Sequence, residues 1–147
     1  MRNGIITVII IICIFFNGCV KTNDDAKVIE IGERMFVTQI NDIYLNAREY
    51  LGKPVKLEGI FKIDHSNEEP FFYVIRYFYD ECCGIDNMAG FEVRGLGLSD
   101  GIFPDDDSWV EAFGILRELT AERQKTLYIE LSSLNVLAVR GNEHVRQ

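Results

Sequence analysis

Histidine is scarce in this chain: His65 and His144 are the two in 147 residues. No His-x-x-x-His pair, no Ser-His-Asp order and no glycine-rich phosphate cradle occurs, which makes most hydrolytic and nucleotide chemistries hard to assemble. An enzyme is therefore the less favoured class. Positive charge is also short, with 15 Lys and Arg against 23 Asp and Glu and a formal charge of -8. A surplus of that size repels phosphate backbones, and no block of clustered Lys and Arg offsets it, so nucleic acid is not an expected partner. Proline is limited to three positions, and no repeat or low-complexity run interrupts a composition that is 48% apolar. Disorder and repeat arrays are excluded, and one globular domain is expected.

Long apolar runs are absent but for one. Met1-Arg2-Asn3 carries the single early positive charge, and Ile5 to Phe16 is a nearly unbroken apolar stretch of 12 residues. That is too short for an ordinary transmembrane helix of about 20 residues, and it has the layout of a secretory signal. Phe16-Asn17-Gly18-Cys19 resembles a bacterial lipobox, with Phe where Leu is usual. Residues 1–18 are then a lipoprotein signal peptide, Cys19 is lipidated, and 19–27 form a tether. Two or more acyl chains, at about 0.8 kcal/mol per buried CH₂, suffice for stable anchoring. The expected location is extracytoplasmic, lipid-anchored to a bacterial cell membrane. Cys13 leaves with the signal and Cys19 is consumed by lipid, so Cys82 and Cys83 remain and no disulfide framework holds the domain.

The mature chain is rich in period-two patterns. Val28 to Val37 suggests an extended lead-in, and Asn41 is placed to cap a helix over Asp42 to Leu51, with Gly52 at its end. Val55 to Ile63 and Phe71 to Tyr79 alternate as half-buried strands, the second with Phe72, Val74, Arg76 and Phe78 on one face. Met88 to Leu96, Trp109 to Leu116 and Leu127 to Val139 supply three more, the last bent near Ser132-Ser133, with polar Arg117 to Thr126 between the final two. Five strands at short spacing plus one short helix predict a mainly β fold, a small OB-fold-like barrel over 28–139, with 140–147 as a polar tail prone to fray. An open antiparallel α+β sheet is the alternative.

Chemistry concentrates in Asp80-Glu81-Cys82-Cys83-Gly84-Ile85-Asp86, where two thiols and three carboxylates follow a strand. Three readings stand open. One cysteine can pack as a small hydrophobe beside solvated carboxylates. Cys82, Cys83 and Asp86 can bind zinc or copper(I), with Asp80, Glu81 or the distant His65 completing the site, although adjacent residues in extended chain point apart. The pair can also form a strained, easily reduced vicinal disulfide, suited to thiol redox activity or redox sensing. Arg76, Asp80 and Glu81 are candidate binding residues, Arg76 being placed for cation–π contact or for pairing with the acidic loop. Asp105-Asp106-Asp107 lacks the spacing of a calcium loop and is expected to be a solvated turn into Trp109, itself expected in the core.

Several spaced strings agree in order with a known family. Tyr50-Leu51-Gly52-Lys53-Pro54-Val55-Lys56-Leu57-Glu58-Gly59, Arg76-Tyr77 ahead of Cys82-Cys83-Gly84-Ile85-Asp86, and Asp107-Ser108-Trp109-Val110 with Gly114 resemble the C-terminal domain of the YcgQ-type proteins. Those are uncharacterised membrane proteins described as permease subunits. The resemblance spans Ile29 to Ala138 and implies a β-rich extracytoplasmic domain working beside a permease. Gly84 and Ile85 stand where the family has alanines, and a lipidation signal stands where it has transmembrane helices. The expected function is a binding or accessory module for an envelope partner such as a permease; oligosaccharide or peptide binding on an OB-like face is a further alternative.

Overall fold

The computed structural model describes residues 27–79, 86–121 and 124–146. A short strand β1 (Ile29–Ile31) leads into helix α1 (Phe36–Leu45) and one further turn, α2 (Ala47–Tyr50). Six strands follow: β2 (Pro54–Asp64), β3 (Phe71–Tyr79), β4 (Asp86–Arg94), β5 (Trp109–Ala121), β6 (Gln124–Val136) and β7 (His144–Val145). β2, β5, β6, β4 and β3 pair in that order and β3 returns to β2, so five strands close on themselves. Every seam of the ring is antiparallel except β4 with β6. The first, second, third, fifth and fourth barrel strands thus follow one another round the ring, which is an OB-fold-like Greek-key barrel.

Alternation along each strand explains the closure. Val55, Leu57 and Phe61 of β2 point inward while Lys56 and Lys62 stay outside, and Phe72 and Val74 of β3 meet Phe91 and Val93 of β4 in the same core. Curvature needs close strand crossings. A Cβ on Gly90 would stand 2.0 Å from the Val74 carbonyl oxygen, and one on Gly114 would stand 2.1 Å from that of Glu130. At Gly114 the β5–β6 register slips: Phe113 faces Ser133, Gly114 faces Leu131, and Ser132 is left over. That bulge is the bend expected near Ser132-Ser133.

Three expectations are corrected. The helix begins at Phe36, well before Asp42, because Phe36, Val37, Ile40 and Ile43 form a helical stripe buried in the barrel core. Its N-cap is Met35 at φ 64°, and Asp42 sits mid-helix, accepting hydrogen bonds from Asn46 Nδ2 (2.7 Å) and the Tyr50 hydroxyl. The polar stretch from Arg117 is part of the two long strands of a hairpin, held outside the core by Arg117–Glu130 and Lys125–Glu118 pairs, both 2.8 Å. The polar tail contains a strand: β7 lies parallel to β3 and buries Val145.

The aspartate run is a structural turn. Asp106 accepts the Ile63 backbone N–H at 2.9 Å and Lys62 Nζ at 3.1 Å, and Asp107 takes the same ammonium at 3.0 Å. Partial burial pushes the Asp106 carboxyl up, but the Ile63 N–H and the Lys62 charge outweigh it and hold the group below its ordinary range. A carboxylate with a depressed folded pKa adds stability above its unfolded pKa of about 3.9 and loses it as pH falls through the folded value. Asp106→Asn is therefore expected to cost up to about 1 kcal/mol at pH 7, the group being half exposed, and progressively less below pH 4. Urea unfolding at pH 7 and pH 3 checks this; an equal cost at both would exclude the charge as the cause.

Candidate functional site

β3 and β4 pair as far as Tyr79 and Asp86, so residues 80–85 are the connection of a hairpin. Asp80, Glu81, Cys82 and Cys83 lie in that connection and outside the described residues, as does Cys19; of Asp86 the backbone is described, at the start of β4. At the base of the hairpin, Tyr79 is 60% and Met88 68% exposed. Met88 is the register partner of Tyr77, and His144 of β7 stands on the other side of Tyr77, its ring 5.6 Å from that of Tyr77 and 6.4 Å from that of Tyr79. His144, expected in a loose tail, is thus placed beside the hairpin. His65 is not: it is exposed in the turn before β3, whose nine residues separate it from the hairpin by roughly 26 Å. Among the described residues no group of three or more His, Cys, Asp or Glu could hold a metal ion.

Arg76 fills a fork in the barrel wall. β2 pairs with β3 from Ile60 to Asp64; before Ile60 the two strands part, and β1 takes the edge of β2 at Val55 to Leu57 while β7 takes the edge of β3 at Tyr77 and Phe78. Arg76 Nε donates to the Glu58 carbonyl at 2.8 Å and Nη1 to the Asn142 carbonyl at 3.3 Å, so one side chain ties both sides of the fork. Its guanidinium carbon is 5.2 Å from the ring centre of Phe36 and 4.8 Å from that of Trp109, and its Nη1 is 3.9 Å from Glu33 Oε2. The residue is 3% exposed. Burial lowers its pKa, with Glu33 and Glu58 opposing, but a guanidinium starts so high that it stays charged. Cation–π contact is as the sequence suggested, and the role is that of a joint. Trp109 is core, packed with Ile60 and Ile75 on the outside of the barrel.

The sequence did not point to a second polar feature. Glu92, on the outer side of β4 between inward-facing Phe91 and Val93, is 6% exposed and accepts a hydrogen bond from Arg94 Nε at 2.5 Å. The Arg94 guanidinium in turn lies 5.0 Å from the ring centre of Tyr128. Beside this pair is a cleft of about 170 Å³, walled by Glu69 to Phe72 and by Glu92 to Gly95, with Leu98 beneath. Burial, and then the Glu92 charge, raise the phenol pKa of Tyr44 and of Tyr73. The available signal was a Glu and an Arg two apart on one face of a strand.

The family model for the DUF1980 C-terminal domain matches residues 17–145. The chain belongs to that family. This agrees with the resemblance to the YcgQ-type C-terminal domain. No curated protein matches the DUF1980 domain described here. Solved structures similar to it include a small single-stranded DNA-binding protein from Streptomyces coelicolor, with 16% identity, 61% of this chain and 98% of that chain covered, and a TM-score of 0.37. Another is the N-terminal domain of PriB protein from Thermoanaerobacter tencongensis, with 19% identity, 58% and 97% covered, and a TM-score of 0.35. Likeness at that level says nothing of what this DUF1980 domain binds, and its barrel is recognised from its own strand order.

Proposed function

We propose that the protein is a lipid-anchored, extracytoplasmic binding module that docks an envelope partner such as a permease. The observation that carries this reading is the outer face at the base of the β3–β4 hairpin, where Tyr77, Tyr79, Met88 and His144 stand side by side and two of them are more than half exposed. Aromatic residues and Met are the types enriched where proteins meet. A tether from Val20 to Lys27 reaches roughly 25 Å at about 3.3 Å per residue, which keeps the module close to a membrane partner and raises its effective concentration. The net charge of -8 argues against nucleic acid as that partner.

Two measurements test this. Growth with a labelled fatty acid should label the wild type and not Cys19→Ser; equal labelling of both, or labelling of neither, removes the anchor. Crosslinking in intact cells should recover a membrane protein with the wild type, and Tyr79→Asp with Met88→Asp should abolish the product while the fold persists. A product unchanged by the double substitution would place the docking face elsewhere.

A second reading is favoured by the position of His144 beside the cysteine hairpin: a zinc or copper(I) site on Cys82, Cys83 and Asp86. The reduced protein is then expected to hold close to one metal ion per chain and to lose it on Cys82→Ser or Cys83→Ser, with a smaller loss for Asp86→Ala. Affinity should weaken as pH falls, since ligating thiols must be deprotonated. Thiol titration and elemental analysis of one preparation separate this from the redox alternative, in which no thiol is free before mild reduction, two appear after it, and no metal binds in either state.

A further inference from the structure

We infer that the cleft between the β2–β3 turn and β4 binds a neutral, polyhydroxylated ring, that is, one sugar unit held by Glu92 and Arg94. Burial is the first argument. A carboxylate on the outer side of a strand has water available to it, yet Glu92 is 6% exposed and anchored by Arg94 at 2.5 Å. Desolvating a charge in this way is costly, and a rigid carboxylate–guanidinium pair at a cleft wall is an acceptor and a donor held side by side, the arrangement that adjacent ring hydroxyls complement. Arg94 is itself steadied by the Tyr128 ring, so the pair is organised before any ligand arrives.

Shape and charge narrow the ligand. The cleft of about 170 Å³ has room for about six water molecules at ~30 Å³ each, which suits a single six-membered ring and falls short of the usual several hundred Å³ of a drug-sized or nucleotide pocket. Phe71, partly exposed on the cleft wall, offers an apolar surface to the C–H side of a sugar. Glu69 and Glu92 outnumber Arg94 among the charged wall residues, in a chain of net charge -8, so phosphate is disfavoured. The cleft lies on the same outer side of β4 as Met88 but four residues along the strand, roughly 13 Å at about 3.3 Å per residue, and the inference stands apart from the partner-docking proposal.

The test is residue-resolved NMR on the full chain in a detergent without sugar groups, titrated separately with chitotriose, cellotriose, maltotriose and inorganic phosphate to about 20 mM. At least one trisaccharide should shift the amides of 69–72 and 92–98, with saturation in the millimolar range, and phosphate should not. Glu92→Gln and Arg94→Ala should each weaken that binding tenfold or more. Should either disturb the fold, Phe71→Ala at the rim should still weaken it several-fold with the remaining spectrum unchanged. Co-sedimentation with purified cell-wall sacculi separates the two sources: retention lost in Arg94→Ala marks a wall glycan, and soluble binding alone marks a free saccharide. No shift with any sugar, shifts confined to other faces, or phosphate matching the sugars at the cleft would overturn the inference.

Discussion

Arg76→Ala is expected to lower folding stability by about 3 kcal/mol, a large part of the 5 to 15 kcal/mol typical of a domain. The guanidinium donates to the Glu58 and Asn142 carbonyls across the fork between β2 and β3. Hydrogen bonds to charged groups contribute about 1.5 to 3 kcal/mol each, and a carbonyl left buried without a donor costs about 1 to 3 kcal/mol. Stacking against Phe36 and Trp109 adds about 1 to 2 kcal/mol for a desolvated cation–π pair. Against these gains stands the cost of desolvating the charge itself, which keeps the net below the sum. Lysine is not expected to rescue, because one ammonium on a flexible stem cannot reach two carbonyls in one plane while stacking between rings. Equilibrium urea unfolding of wild type, Arg76→Ala and Arg76→Lys decides the matter. A loss below about 1 kcal/mol in the alanine variant would show that the fork is held by its strands alone.

Gly90→Ala and Gly114→Ala are each expected to cost at least about 3 kcal/mol, or to prevent folding, at the upper end of overpacking penalties. The obstruction in both is main-chain: a Cβ would lie 2.0 Å from the Val74 oxygen or 2.1 Å from the Glu130 oxygen, so no rotamer change relieves it and two strands must separate. A third glycine controls for the loss of backbone freedom. At Gly32 the added methyl would meet nothing within 4 Å and the backbone is not left-handed, so Gly32→Ala should lie within about 0.5 kcal/mol of wild type. Thermal and urea midpoints of the three variants provide the comparison. If Gly90→Ala and Gly114→Ala behaved like Gly32→Ala, the close strand crossings would not be what curves the barrel.

The five barrel strands were determined by sequence alone, because a strand with one face in a core must alternate. Val55 to Ile63 does so but for Ile60, Phe71 to Tyr79 carries Phe72, Val74 and Phe78 on its core face, and β3 has the bounds read from its sequence. The bend at Ser132-Ser133 was also legible, from local chemistry. Tertiary structure alone decided the rest. Whether β2 curls back to β3, whether β4 meets β6 in parallel, and that β7 is a strand at all depend on pairings between distant segments, and β7 is too short to show a period. Arg76 appeared as a cation in an apolar row; its partner Asn142 is 66 residues away, so its role as a joint exists only after the fork has formed. Glu92 and Arg94 drew no reading from the sequence; the fold buries Glu92 and sets both residues on a cleft wall opposite the β2–β3 turn. Periodicity reports which face of a strand is apolar, but the neighbours a face receives follow from closure, and closure is settled by contacts between residues far apart in the chain.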